Sequence, residues 1–189
     1  MLFFNSLIKH IAKLNKIYLI SVVVITLIFS FTNQNLIKAD TLGNVVAAVS
    51  LEYDIPENLI RRIIQAESCF NEKAVSYCDA RGLMQITRST WEWITQQYLE
   101  VDWDFDQCAF DPEKNIKVGA CFLRWISDYL EQKQELLNAP KQDLVLACYN
   151  AGPGNVRKYN YSVPPFKETQ DYIEKINNMS KSAYLFARR

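Results

Sequence analysis

After residue 41, apolar side chains recur at the spacing of an α-helix, and this periodicity constrains the fold more than any other feature. The pattern predicts helices over 42–51, 56–67, 89–98, 112–129, 144–149 and 168–179. The polar stretch 69–82 has no sustained period and predicts an irregular excursion or small hairpin, and Gly152-Pro153-Gly154 predicts a firm turn. We therefore expect a mainly α single domain with at most a small irregular β-hairpin.

The first forty residues differ from the rest in composition. Basic side chains at 9–16 precede an unbroken apolar run at 17–31, and no acidic residue occurs before Asp40. This composition is typical of an export signal. The run of about 15 residues is shorter than the roughly 20 that span a bilayer, which favours a cleavable signal peptide. Cleavage after Ala39 suits the small-residue rule, but Ile37 is bulkier than that rule prefers, so an uncleaved inner-membrane anchor remains the alternative.

These features predict two regions: a signal peptide or signal anchor at 1–39 and one folded domain at 40–189. The expected location is the periplasm or cell envelope, with membrane contact only through the N-terminal segment. Beyond the leader the chain carries 17 basic and 21 acidic side chains, a net charge of −4. That balance excludes the basic surface that nucleic-acid binding requires.

Five cysteines follow the leader, and an exported protein meets an oxidising compartment in which disulfides persist. Up to two bridges can form, with Cys69 and Cys78 closing the shortest loop, and the sequence does not choose among the pairings. The alternative is that most of the thiols are small buried core groups. No C-x-x-C pair occurs and the only histidine is His10, so we expect no metal and no cofactor.

Glu67 is the candidate catalytic residue. It follows Ile63 by four residues and Ile64 by three, so a helix would project its carboxyl from the apolar face. Burial raises the pKa of a carboxyl, which keeps it protonated as a general acid requires, and Ser68 could help to orient it. The alternative is a glutamate that reaches solvent past its apolar neighbours at the helix end.

Glu67 belongs to a set of motifs in a fixed order. They are ESCFN at 67–71, GLMQI at 82–86, ACYNAGPGNV at 147–156 and ETQDYI at 168–173. Together they resemble the catalytic domain of the soluble lytic transglycosylases, in the lysozyme-like superfamily, over Val45 to Ile176. A small domain behind a leader also resembles the specialised transglycosylases of secretion, conjugation and pilus systems, which makes such an apparatus a candidate partner.

The resemblance implies a lysozyme-like, mostly helical fold that acts on peptidoglycan glycan strands. Glu67 would be the single catalytic carboxyl, cleaving the bond between N-acetylmuramic acid and N-acetylglucosamine. It would first protonate the glycosidic oxygen and then take the proton of the muramic acid C6 hydroxyl, closing a 1,6-anhydro ring. The sugar's own acetamido group would relieve the developing charge, so one carboxyl suffices where most glycosidases use a pair.

The resemblance also assigns residues to substrate binding. They are Ser68, Met84, Gln85, Tyr149, Asn150 and Tyr172. Met84 and Gln85 would lie along the sugar groove, whereas Tyr149 and Asn150 would contact the reacting sugar and Tyr172 would form a hydrogen bond near Glu67. By residue type alone, the methionine and the tyrosines could be packing residues and the asparagine could cap a turn.

Two other functions fit the sequence. The first is a muramidase resembling goose-type lysozyme, which uses an acidic residue to position water, and Asp79 is the only acid close to the Gly-Leu-Met-Gln element. An aspartate in a polar turn more often serves local backbone hydrogen bonds. The second function is that of an inactive glycan-binding or assembly module of a secretion system.

The sequence departs from the family pattern at Arg88, where proline is frequent, and at Cys148, where alanine is common.

Overall fold

The computed structural model describes residues 24–29 and 41–186, with side chains described for 24–29 and 41–179. The chain forms two compact units, Met1–Gly43 and Asn44–Arg189. Within the first unit, residues 24–29 are helical. The prediction of a signal peptide or anchor over 1–39 concerns mainly residues outside those described. None of the helices in the described stretches is long and apolar enough to cross a membrane.

From residue 41 onward the described chain is mainly α-helical, which confirms the predicted fold class. The α-helices are α1 (41–53), α2 (Glu57–Ser68), α3 (Arg88–Ile94), α4 (Phe105–Cys108), α5 (Pro112–Glu131), α6 (Lys141–Ala151), α7 (Pro153–Lys158) and α8 (Lys167–Phe186). A π-helix, Thr95–Leu99, continues α3, and a 3₁₀ turn, Gln134–Leu136, follows α5.

The helix starts follow local chemistry. Asp111 caps α5 by accepting a 3.0 Å hydrogen bond from the Lys114 backbone N–H, and Pro112 takes the first helical position. Thr87 caps α3 in the same way through the Thr90 N–H. Pro56, predicted as the first residue of α2, is its N-cap instead, because its ψ of 127° is extended. The prediction was wrong by one residue.

Helix α5 is the centre of the core. It packs against α3 and α6, while α6 also contacts α7 and α8, and α8 contacts α2. The largest fully buried side chains are Trp91, Phe105, Ile60, Ile63, Ile64, Leu83, Met84, Ile94, Ile116, Leu123, Ile126 and Leu130. The packing of α8 on α2 brings the last part of the chain beside Glu67.

The segment between α2 and α3 folds back on itself without forming a regular hairpin. Arg81 makes antiparallel bridges to Val75 and to Ile86, and no extended strand forms within the described residues. The predicted turn at Gly152-Pro153-Gly154 was too long. Only Gly152, with φ of 86°, breaks the helix, and Pro153 already begins α7 because proline suits a first helical turn.

All five thiols are free in the structure, so none of the disulfides considered from the sequence is formed. Cys69 and Cys78 are exposed, whereas Cys121 and Cys148 are buried. Burial raises the pKa of Cys121 to about 11 and that of Cys148 to about 12. The buried pair therefore behaves as the small apolar core groups of the alternative interpretation.

Candidate active site

Glu67 lies at the penultimate position of α2, where that helix meets α8. The helix ends at Ser68 because Cys69 and Phe70 both adopt left-handed backbone conformations, with φ of 50° and 63°. The carboxyl is partly buried, as the apolar-face position predicted. Tyr172 of α8 donates a hydrogen bond of 2.7 Å from its hydroxyl to Glu67 Oε1.

The environment of Glu67 raises the pKa of its carboxyl from 4.5 to about 7. Burial is the main cause, since it disfavours the charged form. The Tyr172 hydrogen bond and the positive charge of Lys175 act in the opposite direction, and Glu168 raises the pKa slightly. A carboxyl poised near neutrality can serve as an acid in one step and as a base in the next.

Two tyrosines stand close to this carboxyl. Burial and the negative charge of Glu67 raise the pKa values of Tyr149 and Tyr172 well above the ordinary range. Both hydroxyls are therefore protonated donors at neutral pH. The Tyr149 hydroxyl donates to the Met84 carbonyl at 2.8 Å, so α6 is tied to the Gly82–Ile86 loop.

The Gly82–Ile86 loop is positioned by a residue that the sequence analysis missed. Asn115 of α5 is 1% exposed, and its Oδ1 accepts from the Met84 backbone N–H at 2.8 Å. Its Nδ2 donates to the Arg81 and Ala109 carbonyls at 3.0 and 2.8 Å. Gly82 is required beside it, because a Cβ there would lie 2.4 Å from Asn115 Nδ2 and its φ is +77°. An amide on the apolar face of α5 was the available signal.

Two of the predicted binding residues hold the Gly82–Ile86 loop in place. The Ser68 hydroxyl lies 2.8 Å from the Leu83 carbonyl and 3.1 Å from the Ile64 carbonyl, so its described hydrogen bonds fix the loop to α2 and do not orient Glu67. Met84 is 0% exposed, and its sulfur packs against Gly119. The Met84 side chain thus fills the core, and the structure does not place it on an open groove.

The side chains of Gln85 and Asn150 are both partly exposed. Gln85 has a φ of 48°, and its Nε2 donates to the Ala74 and Gly82 carbonyls at 3.1 and 3.0 Å. Asn150 Oδ1 accepts a 2.8 Å hydrogen bond from the buried Thr169 hydroxyl of α8. That contact sets the orientation of the Asn150 amide, and it leaves the amide nitrogen as the group able to donate to a ligand.

Asp79, the candidate for positioning water, is held by a neighbouring arginine. Arg81 donates to its two carboxylate oxygens at 2.7 and 3.1 Å. Arg81 and Arg88 both also pair with Asp106, and both guanidinium carbons lie 4.5 Å from the ring centroid of Phe105. Arg88 therefore belongs to a local ion cluster.

In the part of the chain that the structure describes, no group of His, Cys, Asp or Glu side chains could hold a metal ion.

The chain is similar to curated proteins named membrane-bound lytic murein transglycosylase C. The chain is 28% identical to membrane-bound lytic murein transglycosylase C of Edwardsiella ictaluri, over 94% of this chain and 54% of the relative. It is 30% identical to the protein of the same name from Serratia proteamaculans, over 73% of this chain and 45% of that protein. The chain thus spans about half the length of these curated relatives.

Solved structures and family patterns agree with these relatives. The 70 kDa soluble lytic transglycosylase of Escherichia coli matches with a TM-score of 0.60 and 25% identity, over 70% of this chain and 22% of that one. This likeness confirms the predicted lysozyme-like arrangement. The family described as the transglycosylase SLT domain matches residues 44–172, which include Glu67 and Tyr172. The chain therefore belongs to the transglycosylase SLT domain family.

Proposed function

We propose that this chain is a peptidoglycan lytic transglycosylase that cleaves the bond from N-acetylmuramic acid to N-acetylglucosamine without water. The observation that carries the proposal is the partly buried Glu67 carboxyl, bonded to Tyr172, with a pKa of about 7. Membership of the SLT family and the names of the relatives support the same activity. Glu67 is the proposed acid and base.

In the first step the protonated Glu67 carboxyl donates its proton to the glycosidic oxygen. The bond from the muramic acid C1 to that oxygen breaks, and N-acetylglucosamine leaves with a free 4-hydroxyl. The acetamido oxygen of the muramic acid bonds to C1 as positive charge develops there, so no second protein carboxyl is needed. Glu67 is left as a carboxylate, which the Tyr172 hydroxyl stabilises by donating to Oε1.

In the second step the Glu67 carboxylate takes the proton of the muramic acid C6 hydroxyl. The C6 oxygen bonds to C1, the bond from C1 to the acetamido oxygen breaks, and a 1,6-anhydro ring closes. Glu67 ends as the neutral acid with which it began. A pKa near 7 suits both steps, because neither proton transfer then has a large unfavourable driving force.

Substrate contacts belong to the same proposal. Tyr149 and Asn150 are proposed to contact the reacting sugar, because Tyr149 shares the electrostatic environment of Glu67 and Asn150 follows it on α6. Gln85 is proposed to contact the strand from the neighbouring loop. Ser68 and Met84 are proposed to act by holding that loop in place. Ser68 forms a hydrogen bond to the Leu83 carbonyl, and the Met84 side chain is buried in the core.

The hydrogen bonds of Asp79 favour a local role for this residue in its turn. Both of its carboxylate oxygens accept from Arg81, and no described hydrogen bond links Asp79 to Glu67. The hydrogen-bonded, proton-holding Glu67 in turn favours an active enzyme over an inactive binding module.

The proposed site of action is the cell envelope, which the membrane-bound relatives support. Residues 1–39 are proposed to be a signal peptide or, if uncleaved, an inner-membrane anchor. We further propose that the enzyme opens the wall locally for a secretion, conjugation or pilus apparatus, on the basis of the small domain behind a leader. The mass of the mature chain after expression in a Gram-negative host separates cleavage from anchoring.

The deciding experiment digests purified peptidoglycan with residues 40–189 and identifies the products by mass spectrometry. Anhydro ends are lighter than reducing ends by one water, so the two reactions are distinguished directly. We expect anhydro ends from the wild type and none from a folded Glu67→Gln variant. Reducing ends would replace the lyase with a hydrolase, and full activity in the variant would remove Glu67 from the mechanism.

A further inference from the structure

The two helices that meet at Glu67 are joined by further contacts, which come from basic side chains. Lys175 of α8 donates a 2.8 Å hydrogen bond from Nζ to the backbone carbonyl of Ala66, in the last turn of α2. Arg62 of α2 makes the reciprocal contact, because its Nη1 donates to the Ile176 carbonyl of α8 at 3.1 Å. Each helix thus supplies a basic side chain to the backbone of the other.

These contacts lie beside the hydrogen bond from Tyr172 to Glu67. The three bonds pair position 62 with 176, 66 with 175 and 67 with 172, so α2 and α8 are antiparallel where they meet. Lys175 follows Tyr172 by three residues, and residues at that spacing share a face of a helix. One face of α8 therefore brings both a hydroxyl and an ammonium group to the end of α2.

The end of α2 is an unfavourable place for a negative charge. The last carbonyls of a helix have no N–H partner within that helix, and they carry partial negative charge. Glu67 lies at the penultimate position of α2, whose last turn contains no basic residue. Lys175 brings a positive charge to these carbonyls from α8. It therefore replaces the basic residue that helices often carry in their own last turn.

The charged and titratable groups around Glu67 come from α8, from α6 and from the segment that follows α2. They are Glu168, Tyr172 and Lys175 on α8, Tyr149 on α6, and the exposed Tyr77, which lies near Glu168. Burial is the main influence on the pKa of Glu67 and raises it, whereas the Tyr172 hydrogen bond and the charge of Lys175 lower it. Among these groups, Lys175 is the cation.

We propose that Lys175 is a positioning residue of the active site, which anchors the end of α2 and stabilises the carboxylate that Glu67 becomes after it donates its proton. This inference rests on the proposed function, because a carboxylate forms in the reaction only if Glu67 is the acid. Lys175 acts through Glu67 and the α2 backbone. Its side chain is exposed, so salt should screen its effect.

The test follows the titration of Glu67 by NMR, through the δ-carbon of the full-length chain labelled with ¹³C at glutamate. Glu67→Gln identifies the signal. We expect Lys175→Met to raise the pKa of Glu67 by about half a unit, because a lysine charge near a partly exposed carboxyl has an effect of this order. Lys175→Arg keeps the charge and a donor, so it should restore the wild-type pKa.

The same change should appear in turnover. A higher pKa keeps Glu67 protonated to a higher pH, so the limb of kcat/KM that reports loss of its proton should move upward by about half a unit in Lys175→Met. KM on the plateau should stay unchanged, because the lysine acts on the carboxyl. A role in folding alone would lower stability without moving this limb.

Lys167→Met is the matched control. Lys167 is also an exposed lysine of α8, but its Nζ pairs with Asp171 of the same helix at 2.6 Å. This variant should leave the pKa of Glu67 unchanged. Lys175→Gln, which also removes the charge, repeats the test if Lys175→Met does not fold, as judged by circular dichroism.

The role of Lys175 is overturned if Glu67 titrates in the folded, uncharged variants as it does in the wild type. It is also overturned if Lys175→Arg or Lys167→Met raises the pKa as much as Lys175→Met, because the effect would then not depend on a charge at this position. The titration needs no turnover. Failure of the proposed function is therefore distinct: the wild type would release no anhydro ends, while Glu67 would still respond to Lys175→Met.

Discussion

The Tyr172 hydroxyl donates a 2.7 Å hydrogen bond to Glu67 Oε1, although the two residues are 105 positions apart in the chain. This bond joins α8 to the end of α2. It stabilises the ionised carboxylate, whereas burial destabilises it, and the resulting pKa of about 7 reflects both effects. A contact between distant parts of the sequence thus moderates the pKa that burial raises.

Replacing Tyr172 by phenylalanine removes the hydroxyl and keeps the ring. We expect the pKa of Glu67 to rise by about one unit, because a hydrogen bond to a charged group contributes about 1.5–3 kcal/mol and water replaces part of it. The pH limb of kcat/KM that reports loss of the Glu67 proton should move upward accordingly. Tyr159→Phe is the matched control, and an unchanged profile in Tyr172→Phe would contradict the assigned role.

The stability of the protein should depend on pH through Glu67. Its folded pKa lies above the unfolded value of 4.5, so its contribution is fully present below about pH 4.5 and is lost as the pH rises through about 7. A shift of this size corresponds to about 3 kcal/mol, which partial exposure reduces to about 2.

Glu67→Gln cannot ionise and keeps an acceptor for Tyr172. The free energy of unfolding of this variant, relative to the wild type, should therefore increase by about 2 kcal/mol between pH 4 and pH 8. Urea denaturation at the two pH values measures the difference. If the difference in the free energy of unfolding between variant and wild type is the same at pH 4 and pH 8, the Glu67 carboxyl is not in the buried environment described.

The helices and the position of Glu67 could be predicted because they depend on local signals. Caps such as Asp111 followed by Pro112 specify a helix start within a few residues, and the spacing of Glu67 from Ile63 specifies its face. The partner of Glu67 was found through the family resemblance alone. Periodicity predicts that Tyr172 faces inward, but it does not identify the residue that Tyr172 contacts.

The details around the loop could not be predicted, because they arise from contacts between elements. Ser68 bonds to the Leu83 carbonyl and Met84 turns into the core against Gly119, choices that depend on where α5 lies. The sequence predicts a turn where the small helix α7 forms, because Pro153 and Gly154 are both common in turns. The amide of Asn115 on the apolar face of α5 indicates a buried polar group, but it carries no motif that specifies its partners.

Two helical glycines should respond oppositely to alanine. A Cβ at Gly119 would lie 2.4 Å from the Met84 sulfur, whereas one at Gly154 would have nothing within 4 Å. Alanine favours a helix by up to about 1 kcal/mol, but overpacking costs about 1–3 kcal/mol. We expect Gly119→Ala to lower the free energy of unfolding by about 1 kcal/mol and Gly154→Ala to leave it equal or higher. Equal stability of the two variants would show that Met84 moves freely.

Substitution of Asp79 distinguishes a lyase mechanism from a hydrolase mechanism. Asparagine tolerates the left-handed backbone at this position, where φ is 57°, and loses only a partly exposed ion pair with Arg81. Exposed ion pairs contribute little to stability, so Asp79→Asn should remain folded, release anhydro ends and keep its rate within about twofold.

Asp106→Asn is the matched control for this substitution, because Asp106 is the other carboxylate that pairs with Arg81. Both variants weaken the same ion cluster, but only Asp79 is a candidate for positioning water. If the two behave alike, the cluster serves the loop and Glu67 acts without a second acid. If Asp79→Asn alone loses activity and the wild type forms reducing ends, water is the nucleophile, and the pairing with Arg81 must open during the reaction.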